Sequence, residues 1–287
     1  MNILVVGGTR FFGIQMVNAL LKGGHQVAVA TRGNSKPSFC GSVEQIVFDK
    51  TKPQSVKQAL KGRRFDIIID KIAYSSNDVK SLLQNAQCDK YIQMSSCAVY
   101  QKIHTDTKEE EFDAAAYPLR WQDRSDNYDQ SKRIAERAAL EFMPAGSCAF
   151  VRYPIVLGPN DYTKRLVFYV DRIKKGLPIF VDDMDMQSPF IHEDEAGRFI
   201  AHLAEHFAPG AFNGASNGTV KISDLISYIE KAVGKKAVLD KDGEPAPFNG
   251  LPCDRSINTQ KAQSLGFKFF DLDSWLFKLV DSEACKL

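Results

Sequence analysis

The chain has 287 residues, of which 44% are hydrophobic and 25% are charged. It is therefore long enough to bury a full core, either in one large domain or in a domain with a smaller lobe. Its 37 basic and 35 acidic residues leave a net charge of only +2. This balance gives no whole-protein attraction to nucleic acid or to an anionic membrane, so we do not expect either partner.

The six cysteines are widely separated and form no C-x-x-C pair. The sequence therefore predicts neither a zinc site nor a disulfide framework, and no His/Cys/Asp cluster has the spacing of metal ligands. No apolar run approaches the roughly 20 residues of a membrane span, and the first residues show no leader pattern. From these features we expect a cytoplasmic protein with reduced thiols and no metal.

Strand and helix patterns alternate along the first half of the chain. The predicted strands cover residues 2–6, 26–30, 43–48, 66–70, 90–94 and 148–153, and the predicted helices cover 14–22, 53–61, 77–86 and 128–142. A polar stretch over 101–127 predicts a surface loop. Repeated βα units of this length indicate an α/β fold, specifically a Rossmann-type doubly wound parallel sheet.

Beyond Gly158-Pro159 the pattern becomes less regular and is interrupted by glycine and proline. We therefore predict a dinucleotide-binding Rossmann domain over residues 1–158, with 190–213 returning to it. Residues 159–189 and 214–287 are predicted to form a smaller C-terminal substrate lobe.

The segment VVGGTRFFG, residues 5–13, joins the first strand to the first helix. Arg10 prevents a strict G-x-G-x-x-G fingerprint, but the strand before it and the helix after it are the context that this fingerprint requires. A turn here would let a pyrophosphate approach the helix N-terminus. An ordinary tight turn is the alternative. The loop residues predicted to bind the cofactor are Gly7, Thr9, Arg10, Phe11, Phe12 and Gly13.

The second strand ends at Thr31 and Arg32, where NAD-binding proteins usually carry an acidic residue for the ribose. A guanidinium at this place suits a 2′-phosphate, and Arg10 could assist it. The sequence therefore favours NADP, with NAD as the alternative cofactor. Arg32 could instead be a solvated residue before the Gly33-Asn34 turn.

Two further motifs carry the chemistry. YDQSK at 128–132 places Tyr128 and Lys132 on one face of a helix, and MSSCAVY at 94–100 follows the fifth strand. Together with Ser96, these residues resemble the short-chain dehydrogenase/reductase superfamily, in particular its extended epimerase/dehydratase branch. The resemblance covers most of the chain and extends to FDK at 48–50, RYPIVLGP at 152–159 and FIHEDEAGRFI at 190–200.

The resemblance implies catalytic roles for three residues. Tyr128 would exchange a proton with a substrate hydroxyl or carbonyl while hydride passes to or from the nicotinamide. Lys132 would favour the phenolate and hold the nicotinamide ribose, and Ser96 would hydrogen-bond the reacting oxygen. Taken singly, Ser96 could be a strand-end cap and Tyr128 a half-buried helix residue. The resemblance implies further cofactor contacts at Asp49, Pro154 and Ile155.

Where this sequence departs from the motifs of the branch, some reactions of the branch become less expected. Dehydratases carry an Asp-Glu pair where this chain has Cys97 and Ala98, so dehydration is disfavoured. Many nucleotide-sugar epimerases carry an arginine where this chain has Ser188, which weakens the case for diphosphate binding. GGTRFFG and DIIIDKIAY are closer to an atypical subgroup that includes chloroplast stem-loop RNA-binding proteins.

We therefore predict an NAD(P)-dependent oxidoreductase or epimerase that acts on a sugar-like small molecule. The alternatives are an RNA-binding protein on the same fold and a dinucleotide-sensing regulator without turnover. The resemblance also implies a homodimer that pairs through the helix carrying Tyr128. Cys97 is expected to be a small buried residue, His192 to begin a helix, and the run KEEE at 108–111 to be a solvated face.

Overall fold

A computed structural model describes residues 1–35, 37–250 and 254–286. The strands are β1 (Asn2–Val6), β2 (Gln26–Thr31), β3 (Glu44–Val47), β4 (Arg64–Asp70), β5 (Gln87–Met94), β6 (Cys148–Arg152), β7 (Ile155–Leu157), β8 (Pro178–Phe180), β9 (Gln187–Ser188), β10 (Phe190–His192), β11 (Gly210–Asn213), β12 (Val220–Lys221), β13 (Val238–Leu239) and β14 (Glu244–Pro245). The helices are α1 (Phe12–Lys22), α2 (Pro53–Leu60), α3 (Ser76–Leu83), α4 (Tyr128–Phe142), α5 (Arg165–Lys175), α6 (Glu193–Glu205), α7 (Ile222–Val233), α8 (Gln260–Gln263) and α9 (Leu276–Lys286). Three short 3₁₀ turns cover Cys97–Val99, Glu109–Glu111 and Leu272–Ser274.

Seven parallel strands form the central sheet in the order β11-β6-β5-β4-β1-β2-β3. Ile3 of β1 pairs with Val27 of β2 on one side and with Ile67 of β4 on the other. The strand order therefore reverses between β1 and β4, which is the place where ligands bind in open α/β sheets. The predicted Rossmann-type fold is confirmed.

Both faces of this sheet are covered because its strands are apolar on both sides. Residues 3–6 of β1 are at most 1% exposed. Helices α1 and α6 pack on one face, where Met16, Leu20 and Phe199 join the core. Helices α2, α3 and α4 cover the other face through a second apolar cluster. Burial on both faces explains the continuous apolar runs in the sequence.

A separate apolar cluster lies in the second half of the chain. Its members come from α5, α7 and α9 and from the strands near Ile179 and Phe190. In contrast, Phe267 and Phe269 pack against Phe199 in the core of the central sheet. The division into a Rossmann domain and a substrate lobe at the stated boundaries stays a prediction.

The segment 101–127 is more than a surface loop. Glu109 is 7% exposed, and its carboxylate accepts a hydrogen bond from the Asn213 amide of the edge strand at 2.8 Å. The buried Arg152 guanidinium, paired with Glu136 at 2.7 Å, also donates to the Glu109 carbonyl. The expectation that the KEEE run is wholly solvated is therefore wrong at Glu109. Composition indicated a solvated polar face. The buried backbone amide of Asn213, however, needs an acceptor inside the protein, and the Glu109 carboxylate is that acceptor.

Candidate functional site

The glycine loop comes close to the strand beside it. Gly7 has φ +88°, and a Cβ on this residue would lie 2.6 Å from Cγ2 of Ile72. A Cβ on Gly13 would lie 3.0 Å from the carbonyl carbon of Gly8. Both positions therefore require glycine, the first for its conformation and both for space. This close approach is what a phosphate-binding turn needs.

Helix α1 begins with unpaired backbone groups. Its N-cap Phe11 has φ 56° and ψ −141°, a strained conformation for a residue other than glycine, and its side chain makes no capping hydrogen bond. Among the described residues, no acceptor takes a hydrogen bond from the N–H groups of Phe11 and Phe12. Free N–H groups at the positive end of a helix favour an anion.

The predicted 2′-phosphate residues lie on the surface near β2. Arg10 and Arg32 are exposed, and within the described chain neither guanidinium forms an ion pair. Arg32 lies close enough to Asp49 to help lower the pKa of that carboxyl, although hydrogen bonds from Thr51 are the main cause. Thr9 is buried. Both arginines are thus available to a ligand, while the choice between NADP and NAD stays a prediction.

Ser96 and Tyr128 come from distant parts of the chain. Ser96 follows β5 at the carboxyl edge of the sheet, and its hydroxyl accepts from the Ala98 amide at 3.2 Å. Tyr128 is the first residue of α4, a helix capped by Asn127. Desolvation raises the pKa of the Tyr128 phenol, and a hydrogen bond with Ser96 acts in the opposite direction. The residue as a whole is 41% exposed, so its side chain borders solvent.

Lys132 lies one helical turn after Tyr128 and is fully buried. Its Nζ donates to the carbonyl oxygens of Ala73, at 3.0 Å, and Met94, at 3.2 Å, and stands 5.7 Å from the centre of the Tyr128 ring. Burial lowers the pKa of Lys132 to about 7. The ammonium is therefore held at the carboxyl ends of β4 and β5, on the side of α4 that carries Tyr128.

Pro154 and Ile155 border the same edge of the sheet. The Tyr153 carbonyl just before them accepts from the Cys97 amide at 2.9 Å and from the Ser96 hydroxyl at 3.5 Å. Ile155 then begins β7 and pairs with Phe190. The chain from 153 to 155 thus lies directly beside the Ser96 turn, while the cofactor contacts of Pro154 and Ile155 stay a prediction.

Two buried lysines near this edge were not singled out by the sequence analysis. Lys50 and the Tyr91 hydroxyl both bind the fully buried Asp70 carboxylate, the latter at 2.8 Å. Lys71 is 6% exposed, and burial lowers its pKa to about 8. The sequence did contain a sign of this for Lys71. The charged pair Asp70-Lys71 stands at the end of a buried apolar strand, where charged residues are uncommon.

Three residues that the sequence analysis discussed, Ser188, Cys97 and His192, are partly or fully buried. Ser188 is buried, and its hydroxyl accepts from the Arg255 guanidinium at 2.6 Å. Cys97 is buried, as expected, and desolvation raises the pKa of its thiol. His192 is the N-cap of α6, where its ring Nδ1 accepts from the Asp194 amide at 3.2 Å.

A cavity of about 490 Å³ opens away from these residues, between the outer strands of the sheet and the segment around Glu109. Its lining includes Phe112, Arg152, Gly210 and Lys261. None of the predicted catalytic or cofactor residues lines it. Across the described ranges, no group of three or more His, Cys, Asp or Glu residues could hold a metal ion. Within those same ranges, no helix is both long enough and apolar enough to span a bilayer.

Residues 3–215 match the NAD dependent epimerase/dehydratase family. The chain belongs to this family. The resemblance derived from the glycine loop, SSCAVY and YDQSK is therefore confirmed. Among curated proteins, chloroplast stem-loop binding protein of 41 kDa b from Arabidopsis thaliana is 26% identical over 250 residues. That match covers 81% of this chain, and this chain spans 63% of the relative's length.

Solved structures of two epimerases share the fold. UDP-glucose 4-epimerase from Thermotoga maritima aligns with a TM-score of 0.75 at 17% identity, covering 99% of this chain and 97% of that one. UDP-glucuronic acid 4-epimerase from Bacillus cereus, solved with NAD, aligns with a TM-score of 0.73 at 19% identity over 99% and 96% of the two chains. At these identities the likeness supports the fold rather than a substrate.

Proposed function

We propose that this member of the family is a nicotinamide-dependent enzyme that oxidises and reduces a hydroxyl or carbonyl group on a sugar or nucleotide sugar. The observation that carries the proposal is the juxtaposition of the Ser96 hydroxyl, the Tyr128 phenol and the Lys132 ammonium at the carboxyl edge of the sheet. That edge also carries the glycine loop. This shared edge supports a proposal in which the proton-transfer group and the dinucleotide lie side by side.

In this mechanism the bound nicotinamide supplies or accepts hydride. Tyr128 donates or removes the proton on the substrate oxygen, and Ser96 hydrogen-bonds that oxygen. Desolvation alone makes the phenol a weaker acid, so a nearby cation is required to favour the phenolate. Lys132 is placed to supply that charge and to hold the ribose hydroxyls once they replace its two carbonyl contacts. The same set of residues serves an epimerase and a carbonyl reductase.

The residues that would hold the dinucleotide fit its chemistry. The glycine loop and the free N–H groups of Phe11 and Phe12 suit the pyrophosphate. Arg32, with Arg10, suits a 2′-phosphate, which favours NADP, whereas the family and its NAD-containing structures support NAD as the alternative. Asp49 is proposed to lie beside the adenine.

Stem-loop binding is a second candidate function, because a relative covering 81% of this chain carries that name. The near-neutral charge of this chain does not support it. A regulator that binds the dinucleotide without turnover is a third candidate. Only a turnover assay distinguishes this candidate from the proposed enzyme.

The decisive experiment begins with mass spectrometry of the small molecules that co-purify with the protein. Wild type is then assayed for binding of NADPH and NADH, for turnover over a panel of sugars, nucleotide sugars and carbonyl compounds, and for RNA stem-loop binding at two salt concentrations. Dinucleotide binding with turnover supports the enzyme. Dinucleotide binding without turnover on any substrate supports the regulator. Salt-sensitive RNA binding without dinucleotide binding supports the binder.

A further inference from the structure

The buried Lys71 side chain lies against Phe12, at the end of the glycine loop. It lies at the carboxyl end of β4, and its Nζ stands 4.2 Å from the centre of the ring of Phe12, the first residue of α1. The residue is 6% exposed. Among the described residues, no carboxylate, carbonyl or hydroxyl accepts a hydrogen bond from this ammonium. A buried ammonium without a polar partner costs free energy, so its presence calls for an anion.

The neighbouring groups cannot supply that anion. The Asp70 carboxylate is occupied by Lys50 and by the Tyr91 hydroxyl. The Asp78 carboxylate accepts a hydrogen bond from the backbone amide of Tyr74, in the turn before α3, at 3.3 Å. Lys132 relies on two carbonyl oxygens. Asp70 is therefore committed to Lys50 and Tyr91, and neither Lys71 nor Lys132 forms an ion pair within the described ranges of the chain.

A second, independent feature faces the same place. Helix α1 presents the free N–H groups of Phe11 and Phe12 at its N-terminus, where the helix dipole is positive. Gly7 allows the chain carrying residues 71 and 72 to pass within contact distance of the loop. The Lys71 ammonium thus lies over the side chain of Phe12, a residue that carries one of these free N–H groups. Since burial lowers the pKa of Lys71 only to about 8, the side chain remains mainly charged at pH 7.

We propose that Lys71 binds a phosphate oxygen of the bound dinucleotide, opposite the free N–H groups at the start of α1. This inference rests on the proposed dinucleotide-binding function. The glycine loop by itself offers a phosphate only backbone N–H donors, and Lys71 adds a side-chain cation. A phosphate both neutralises the ammonium and accepts its hydrogen bonds. A packing role is the competing explanation, in which Lys71 serves only to cover the ring of Phe12.

The test compares Lys71→Met, which keeps the length and apolar stem, with Lys71→Arg, which keeps the charge. Lys90→Met is the matched control, because the Lys90 ammonium also stands over an aromatic ring, 4.7 Å from the centre of Phe207. Calorimetry measures the affinities for NADPH, NADH, ADP and adenosine. We expect Lys71→Met to weaken NADPH, NADH and ADP by about 10- to 100-fold, the range of a charge-assisted hydrogen bond, and to leave adenosine unchanged. Lys71→Arg should recover much of the loss, and Lys90→Met should match wild type.

Thermal unfolding of the ligand-free variants separates charge from packing. Removing an unpaired buried ammonium should leave the Tm of Lys71→Met equal to or above that of wild type. A lower Tm, together with equal losses for ADP and adenosine, would overturn the proposal in favour of packing. Wild-type ADP affinity in Lys71→Met would also overturn it, although the proposed function would stand. If the wild-type protein binds neither NADPH nor NADH, the proposed function itself fails.

Discussion

The Arg255 guanidinium donates a 2.6 Å hydrogen bond to the Ser188 hydroxyl inside the protein. Burial lowers the pKa of Arg255 to about 10, and no carboxylate of the described chain pairs with it. Many nucleotide-sugar epimerases carry an arginine at the position of Ser188, whereas this chain buries there a guanidinium from a distant segment, that of Arg255.

This relationship predicts that Ser188→Arg destabilises the protein. Two guanidinium groups would meet in a buried place without a counter-charge, and we expect the free energy of unfolding in urea to fall by at least about 2 kcal/mol. The double variant Ser188→Arg/Arg255→Met moves the arginine rather than adding one, so it should regain most of the loss. Equal stabilities for the single and double variants would show that the two positions are not coupled.

Tyr128→Phe tests the proton-transfer role. The change removes one oxygen from a ring that is already partly exposed, so folding and dinucleotide affinity should be unchanged. Turnover should fall by roughly 10²- to 10⁴-fold, the usual contribution of general acid–base catalysis. Tyr117→Phe, which removes a phenol outside the site, is the control. Wild-type turnover in Tyr128→Phe would rule out the mechanism proposed here.

Lys132 makes stability depend on pH. Burial lowers its pKa to about 7, whereas an unfolded lysine keeps a value near 10.5. Between these values the unfolded chain binds more protons, so the lysine's contribution to stability decreases as pH falls from 10.5 towards 7. The free energy of unfolding of Lys132→Met, taken relative to that of wild type, should therefore rise by about 1 kcal/mol for each unit by which the pH is lowered from 9.5 to 7. Urea unfolding at several pH values measures this gain, and the exposed Lys57→Met should show no trend.

Arg32 predicts the cofactor preference. Because its guanidinium stands in place of the usual acidic residue, NADPH should bind about tenfold more tightly than NADH, a difference of about 1.4 kcal/mol. Arg32→Ala should remove this preference by weakening NADPH while leaving NADH unchanged. Calorimetry with both cofactors provides the measurement, and equal affinities in the wild-type protein would contradict the prediction.

Trp121 offers a test of the expected homodimer. Its indole stands 5.7 Å from the ring of Phe142 in α4 and lies under the ammonium of Lys80 in α3, yet it is 41% exposed. If the protein pairs through these helices, Trp121→Glu should yield a monomer in light scattering at micromolar concentration. Val47→Glu, on the exposed edge strand, should remain dimeric. A monomeric wild-type protein would refute the pairing.

The sequence by itself determined the central sheet and its parallel order. Apolar runs such as NILVV can only be buried on both faces, and the alternation with helices imposes a parallel order. YDQSK on a helix and SSCAVY after a strand, through the family resemblance that they carry, predicted that Ser96, Tyr128 and Lys132 act together at the carboxyl edge of the sheet, and their catalytic role stays a prediction.

Only the tertiary structure decided how the charges are paired. Glu109 belongs to a run that looks solvated, but its carboxylate satisfies the amide of an edge strand more than 100 residues away. Arg255 donates to Ser188, and Lys50 pairs with Asp70, while no side chain of the described residues pairs with Lys71. The periodicity of apolar residues predicts which side chains are buried, because the hydrophobic effect is non-directional. Hydrogen bonds and ion pairs depend on direction and distance, which are fixed only when remote segments pack.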